Sequence, residues 1–197
     1  MPSNINSQPG SKCPLLTRQC SSSMPRSHFR YRTYSNAYGL PSFLGRLQAL
    51  IDGAKARDIP VVQIFHIEEG GVFSVVSGLV KTIDGLSVTP DAVFHKRSHS
   101  ALVGSGLNVW LVQHRIRRLI ISGEQCCEIT ARHSSDMSYE ADYGTEAMLT
   151  FSMKVRNGSQ WSRRRSRHGS SSCWRAVLPA IVRLEEALAG AVAEPVA

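Results

Sequence analysis

No aspartate or glutamate precedes Asp52, and none occurs between Lys154 and Arg183. Any acidic side chain that a site in this chain uses must therefore come from Asp52 onward. No apolar run is long enough to span a bilayer as a helix, so no membrane association is expected. The opening residues are polar and interrupted by Pro2, Pro9 and Pro14, and no secretory signal is apparent. The five cysteines show neither a CxxC pair nor a metal-ligand spacing. Free thiols in a reducing cytoplasm are the simplest reading, with no metal and no cofactor.

The formal charge of +8 is confined to the flanks. Residues 1–40 hold Lys12, Arg18, Arg26, Arg30 and Arg32, whereas residues 41–153 carry ten basic and twelve acidic side chains. Residues 154–197 hold the cluster Arg163-Arg-Arg165, Arg167 and Ser170–Ser172. Such flanks can bind nucleic acid or anionic lipid. Without interleaved aromatics the Arg/Ser cluster is a weak nucleic-acid signal, and a solvated tail is the preferred reading. Three regions result: an irregular basic segment (1–40), an α/β domain (41–153), and a basic tail with a short terminal helix over 180–188.

Within the central region the apolar pattern alternates between helix and strand. Phe43, Leu47, Leu50, Ile51 and Ala54 form one helical face, with Ser42 as its cap. Val61–Phe65 reads as a buried strand closing at His66, a crevice histidine rather than a metal ligand, because no Asp-x-His pair accompanies it. Residues 67–91 form a long connection. Ala92-Val-Phe94 is a strand that delivers His95 and Lys96, and Val103, Leu107, Trp110, Leu111 and His114 define the next helix face. Leu119-Ile-Ile121 is a third buried strand, Tyr139–Tyr143 a fourth, and Ala147–Phe151 follows it.

Gly123 breaks the third strand, and Cys126 opens a helical segment. Cys126, Ile129, Thr130, His133 and Met137 share one face of it. Free backbone N–H groups and the positive end of the helix dipole favour thiolate over thiol, so strand–Gly–Cys–helix suits a nucleophile. A buried structural cysteine leaves the same local pattern.

The order of Lys96, the Ser100-Ala-Leu turn, a helix, a strand ending at Gly123 and Cys126-Cys-Glu-Ile-Thr-Ala131 resembles the isochorismatase-like cysteine hydrolases. That family includes nicotinamidases and carbamoyl-amide hydrolases, and the likeness spans roughly residues 42–153. It implies a three-layer, Rossmann-like α/β sandwich with a parallel sheet. It also implies an Asp–Lys–Cys triad in which Cys126 is the nucleophile and Lys96 its lysine, while Cys127 reads as packing. The implied substrate is a small amide or isochorismate-like molecule, and the implied assembly a homo-oligomer.

Two departures accompany the resemblance. The family's central first strand, with its aspartate, has no counterpart in 1–40; only Leu15-Leu16 is apolar there. This predicts an uncovered sheet centre, unless residues 13–17 supply a makeshift strand. The segment between Gly123 and Cys126 is about three residues short, where relatives form an oxyanion hole. The expectation is therefore a hydrolase with an incomplete triad and weak activity, using Glu124 or Asp142 if it has an acid at all. The alternative is an inactive subunit of this fold, or a truncated gene product, acting as an interaction module. A basic-tailed nucleic-acid binder comes last.

Overall fold

The computed structural model describes residues 15–18, 40–124, 126–149, 153–154, 160–161 and 180–190. In chain order these form β1 (Leu15–Arg18), α1 (Leu40–Lys55), β2 (Val61–His66), β3 (Ala92–Lys96), α2 (Leu107–Gln113), β4 (Arg118–Glu124), α3 (Cys127–Asp136), β5 (Glu140–Leu149), β6 (Met153–Lys154), β7 (Gln160–Trp161), β8 (Ala180–Val182) and α4 (Leu184–Gly190). Six strands make one sheet in the order β3-β2-β1-β4-β5-β8, every pair parallel. The short β6 and β7 pair antiparallel.

Alternation along the buried strands sends side chains to two cores. Val62, Ile64, Leu119 and Ile121 pack with Leu107 and Leu111 of α2 and with Cys127 and Ala131 of α3. Val61 and Ile120 point the other way, onto Phe43, Leu47, Leu50 and Ile51 of α1 and Ala187 and Leu188 of α4. A sheet covered by helices on both faces is the expected three-layer α/β sandwich.

The centre of the sheet is filled: the first strand expected to be missing is supplied by residues 15–18, close to the 13–17 stretch named as its makeshift substitute. Leu15 to Arg18 pair with Val61 to Ile64 on one side and with Ile120 to Gly123 on the other. Two long strands with facing unpaired edges offer four residues a full set of backbone partners, and that demand outweighs their weak local pattern. Residue 15–18 therefore belongs to the sheet although it lies in the irregular flank. The remainder of 1–39, and the Arg/Ser cluster with Cys173 and Trp174, lie outside the described residues.

Other boundaries shift for local reasons. α1 begins at Leu40, so Ser42 sits in its first turn instead of capping it. α2 begins only at Leu107, because Gly104 and Gly106 take left-handed conformations that keep Val103 out of the helix. Tyr139–Tyr143 and the stretch after it merge into one strand, β5, through an irregularity opposite Ile121–Gly123. Ser122 is buried there and donates to the Ala147 carbonyl at 2.6 Å. The expected terminal helix splits into β8, which joins the sheet edge, and α4, which covers α1. No described helix is long and apolar enough to cross a membrane.

Candidate active site

The order in which strands are added reverses at β1: β2 and β3 are added on one side of it, and β4 on the other. In open parallel sheets such a reversal leaves a crevice at the carboxyl ends of the strands. Cys126 follows the carboxyl end of β4, on that edge of the sheet. The apolar run Leu119–Ile121 drives β4 into the centre, and Gly123, at φ +127°, turns the backbone in a way that side-chain-bearing residues resist. Cys126 is then the N-cap residue of α3, with its own backbone already helical at φ −77° and ψ −1°.

The two adjacent thiols have opposite surroundings. Cys127 is buried and donates to the Ser122 carbonyl at 3.3 Å, so it packs as the sequence suggested. Cys126 is half-buried, with its Sγ 3.9 Å from Nδ1 of His99. The buried face of α3 is Cys127, Thr130, Ala131 and Ser134, one residue round from the expected face; Ile129 and Met137 are exposed. Thr130 and His133 of the expected face instead receive the turn that carries His99.

That turn is tied down at several points. Lys96, at the end of β3, is almost fully buried, and its Nζ donates to the carbonyls of Ser98 at 2.6 Å and His99 at 2.7 Å. Ser100 Oγ lies 2.8 Å from His133 Nδ1 and accepts from the Leu102 N–H at 3.2 Å. The Ala101 N–H donates to Thr130 Oγ1 at 3.0 Å, and the Thr130 hydroxyl in turn reaches the Cys126 carbonyl at 3.4 Å. Ser105 Oγ donates to the Ala101 carbonyl and accepts from the Leu107 N–H, closing the turn onto α2.

β3 and β4 are not neighbours. β2 and β1 lie between them, which at ~4.8 Å per strand is about 14 Å. The turn, not strand adjacency, therefore joins the Lys96 end of the sheet to the cysteine helix. His99 carries this connection and was not singled out from the sequence. Its signal there, a histidine three residues after Lys96, is no stronger than that of His66, His95 or His133.

The other candidates resolve plainly. His66 Nε2 lies 3.2 Å from Glu68 Oε1, and its ring meets Phe73 edge-on. Among the described residues no three His, Cys, Asp or Glu side chains converge as a metal site. Asp142 is ruled out as an acid for Cys126. It pairs with Ile120 in register, four residues and about 13 Å before the end of β4. It is bound instead to Arg118, at 2.6 and 2.8 Å. The backbone of Glu124 closes β4 opposite Leu149; its side chain and Gln125 lie outside the described residues.

The role of Lys96 in holding the turn has a direct consequence. Lys96→Ala opens a cavity and deprives two carbonyls of their donor, and should lower unfolding stability by about 2–4 kcal/mol. Lys96→Met fills the space without the donor and should cost only about 1–2 kcal/mol. Urea midpoints measure both. Equal and negligible losses would show that the ammonium does not support the turn.

No protein-family model matches the chain. Solved structures do. An isochorismatase-family protein from Chromobacterium violaceum superposes with a TM-score of 0.77 at 18% identity, covering 97% of this chain and 98% of that one. A cysteine hydrolase from Pseudomonas syringae pv. phaseolicola gives 0.78 at 14% identity, over 91% and 93%. An isochorismatase from Pseudomonas putida gives 0.73 at 18% identity, over 91% and 93%. With its parallel sheet between two helical layers, the chain has the isochorismatase-like α/β fold.

Proposed function

We propose that the chain is an isochorismatase-like cysteine hydrolase with weak turnover, cleaving the C–N bond of a small amide or acting on an isochorismate-like molecule. The observation that carries this reading is the half-exposed Cys126 thiol at the N-terminus of α3, beside the β1–β4 pair at which strand order reverses. In this mechanism Cys126 sulfur attacks the substrate carbonyl carbon, the amine leaves, and water releases the acid from the thioester. Lys96 holds the turn that faces the thiol.

Weak turnover follows from the carboxyl end of β1. It carries Arg18, and no acidic residue exists anywhere before Asp52. Family-like chemistry relies on a carboxylate to take the thiol proton and later to activate water, and such a general acid–base is worth about 10²–10⁴ in rate.

Iodoacetamide labelling followed by peptide mapping tests the assignment. Near neutral pH, Cys126 should be modified ahead of Cys127, Cys13, Cys20 and Cys173. Slow hydrolysis of small amides should be measurable and should disappear in Cys126→Ala. Labelling without preference removes the nucleophile. Selective labelling with no turnover of any small amide instead supports a catalytically inactive subunit of the same fold.

A further inference from the structure

We propose that His99 is the catalytic base of this site, taking the place of the absent carboxylate in a Cys126–His99 pair. The inference rests on the reading of Cys126 as nucleophile and adds the group that moves its proton. Three observations support it. The imidazole Nδ1 lies against the thiol sulfur, 3.9 Å away. That contact spans two elements far apart in the sequence, and both sides of it are fixed. Lys96 grips the His99 carbonyl, Ser100 and Ala101 are fastened to α3, and Thr130 ties the same helix to the Cys126 carbonyl. Finally, no carboxylate can come from the first fifty-one residues, and Asp142 is held by Arg118.

The chemistry balances with these two side chains and water. In the tautomer that leaves Nδ1 bare, His99 accepts the proton of the Cys126 thiol as sulfur bonds to the substrate carbonyl carbon. The imidazolium then gives that proton to the amide nitrogen as the C–N bond breaks, releasing amine and leaving a thioester. Water attacks the thioester while His99 removes one of its protons. The C–S bond breaks, the acid departs, and the proton returns to sulfur. The net change is amide plus water to acid plus amine. A sulfur–nitrogen separation near 4 Å is the loose end of such a contact, and catalytic hydrogen bonds commonly shorten when substrate arrives.

The charged neighbours on the packed elements have their own partners. Lys96 lies beneath the turn, Arg97 pairs with Glu69, Glu128 pairs with Arg132, and His133 sits on Ser100. Lys96 is a positioning residue here. Its hydrogen bonds to Ser98 and His99 are both to main-chain carbonyls, so the His99 side chain can be replaced without removing them.

The test compares the full chain with His99→Gln and His99→Ala, with circular dichroism confirming the fold. Near pH 7 both variants should alkylate Cys126 at least about five-fold more slowly, because proton removal then depends on solvent. The difference should fade at high pH, where hydroxide replaces the imidazole. Added imidazole should restore part of the His99→Ala rate, and small-amide turnover should fall about 10²-fold. Unchanged rates at pH 7, or a deficit that persists equally at all pH and ignores imidazole, would overturn the proposal. If Cys126 is still labelled preferentially in that case, only the role of His99 fails. If Cys126 is not labelled preferentially in the unaltered chain, the nucleophile assignment fails with it.

Discussion

Leu16→Pro should unfold the domain or lower its melting temperature by at least about 6–12 °C. Leu16 sits in the middle of β1, paired with Val62 on one side and Ile121 on the other. Proline removes its N–H from the ladder and forces a ring between two strands that are themselves buried, at a cost of about 3 kcal/mol or more. For a domain of this size each kilocalorie shifts the midpoint by about 2–4 °C. Leu16→Val keeps the N–H and suits a strand, so it should stay within about 1.5 kcal/mol of the parent. Differential scanning calorimetry separates the two. A silent proline would mean that residues 15–18 do not hold the sheet centre, and the apolar edges of β2 and β4 would then need another partner.

Asp142→Ala should cost about 2–4 kcal/mol, slightly below the full penalty for breaking a buried pair because Arg118 retains some solvent. Arg118 also donates to the carbonyl of Gly190, so the loss should loosen α4 as well. Asp142→Asn keeps an acceptor for the guanidinium and should cost about 1 kcal/mol. The pH dependence has a definite sign. Burial pushes the Asp142 carboxyl above its ordinary range, against the hydrogen bond and charge of Arg118 and with some help from Glu140. The folded chain therefore holds this proton to higher pH than the unfolded one. The stabilising contribution is fully present below the unfolded value, near 3.8, and declines as pH rises through the raised folded value. Urea melts from pH 4 to 7 should thus show the parent's margin over Asp142→Asn largest at the acid end. A margin that grows with pH would reverse the assignment. Cys126 labelling should be the same in both, since Asp142 serves the sheet and not the thiol.

How much of this was legible depended on whether a residue's neighbours lie nearby in the chain. The strands Val61–Phe65, Ala92–Phe94 and Leu119–Ile121 and the apolar face of α1 are local patterns, and they stand as expected. The position of Cys126 at the start of a helix followed from Gly123 and the spacing after it. β1 was foreseen only as a makeshift possibility, because four residues are fewer than any periodic window, and its place is set by partners 46 and 105 residues away. The rotation of α3 was hidden for a different reason. Its buried stripe is Cys, Thr, Ala and Ser, which fit a close helix–sheet approach without a hydrophobic signature, while the more apolar Ile129 and Met137 face outward. His99 was invisible because only the folding of the turn, clamped by Lys96, singles it out from other histidines.

The position of β1 also sets a timetable for the nascent chain. Leu15–Arg18 emerges from the ribosome before every other described element, yet one of its two flanking strands ends only at Glu124. At about 5–20 residues per second, roughly a hundred further residues take on the order of 5–20 s to appear. Throughout that interval β2 and β3 can pair with each other, but the segment that will join the two halves has only one side to bind. The earliest-made strand is therefore among the last to be locked, and its capture by β4 also brings Cys126 to the carboxyl edge of the sheet. A short, weakly patterned strand in that place makes the closing step, rather than the packing of either half, the moment at which synthesis is most exposed to mispairing.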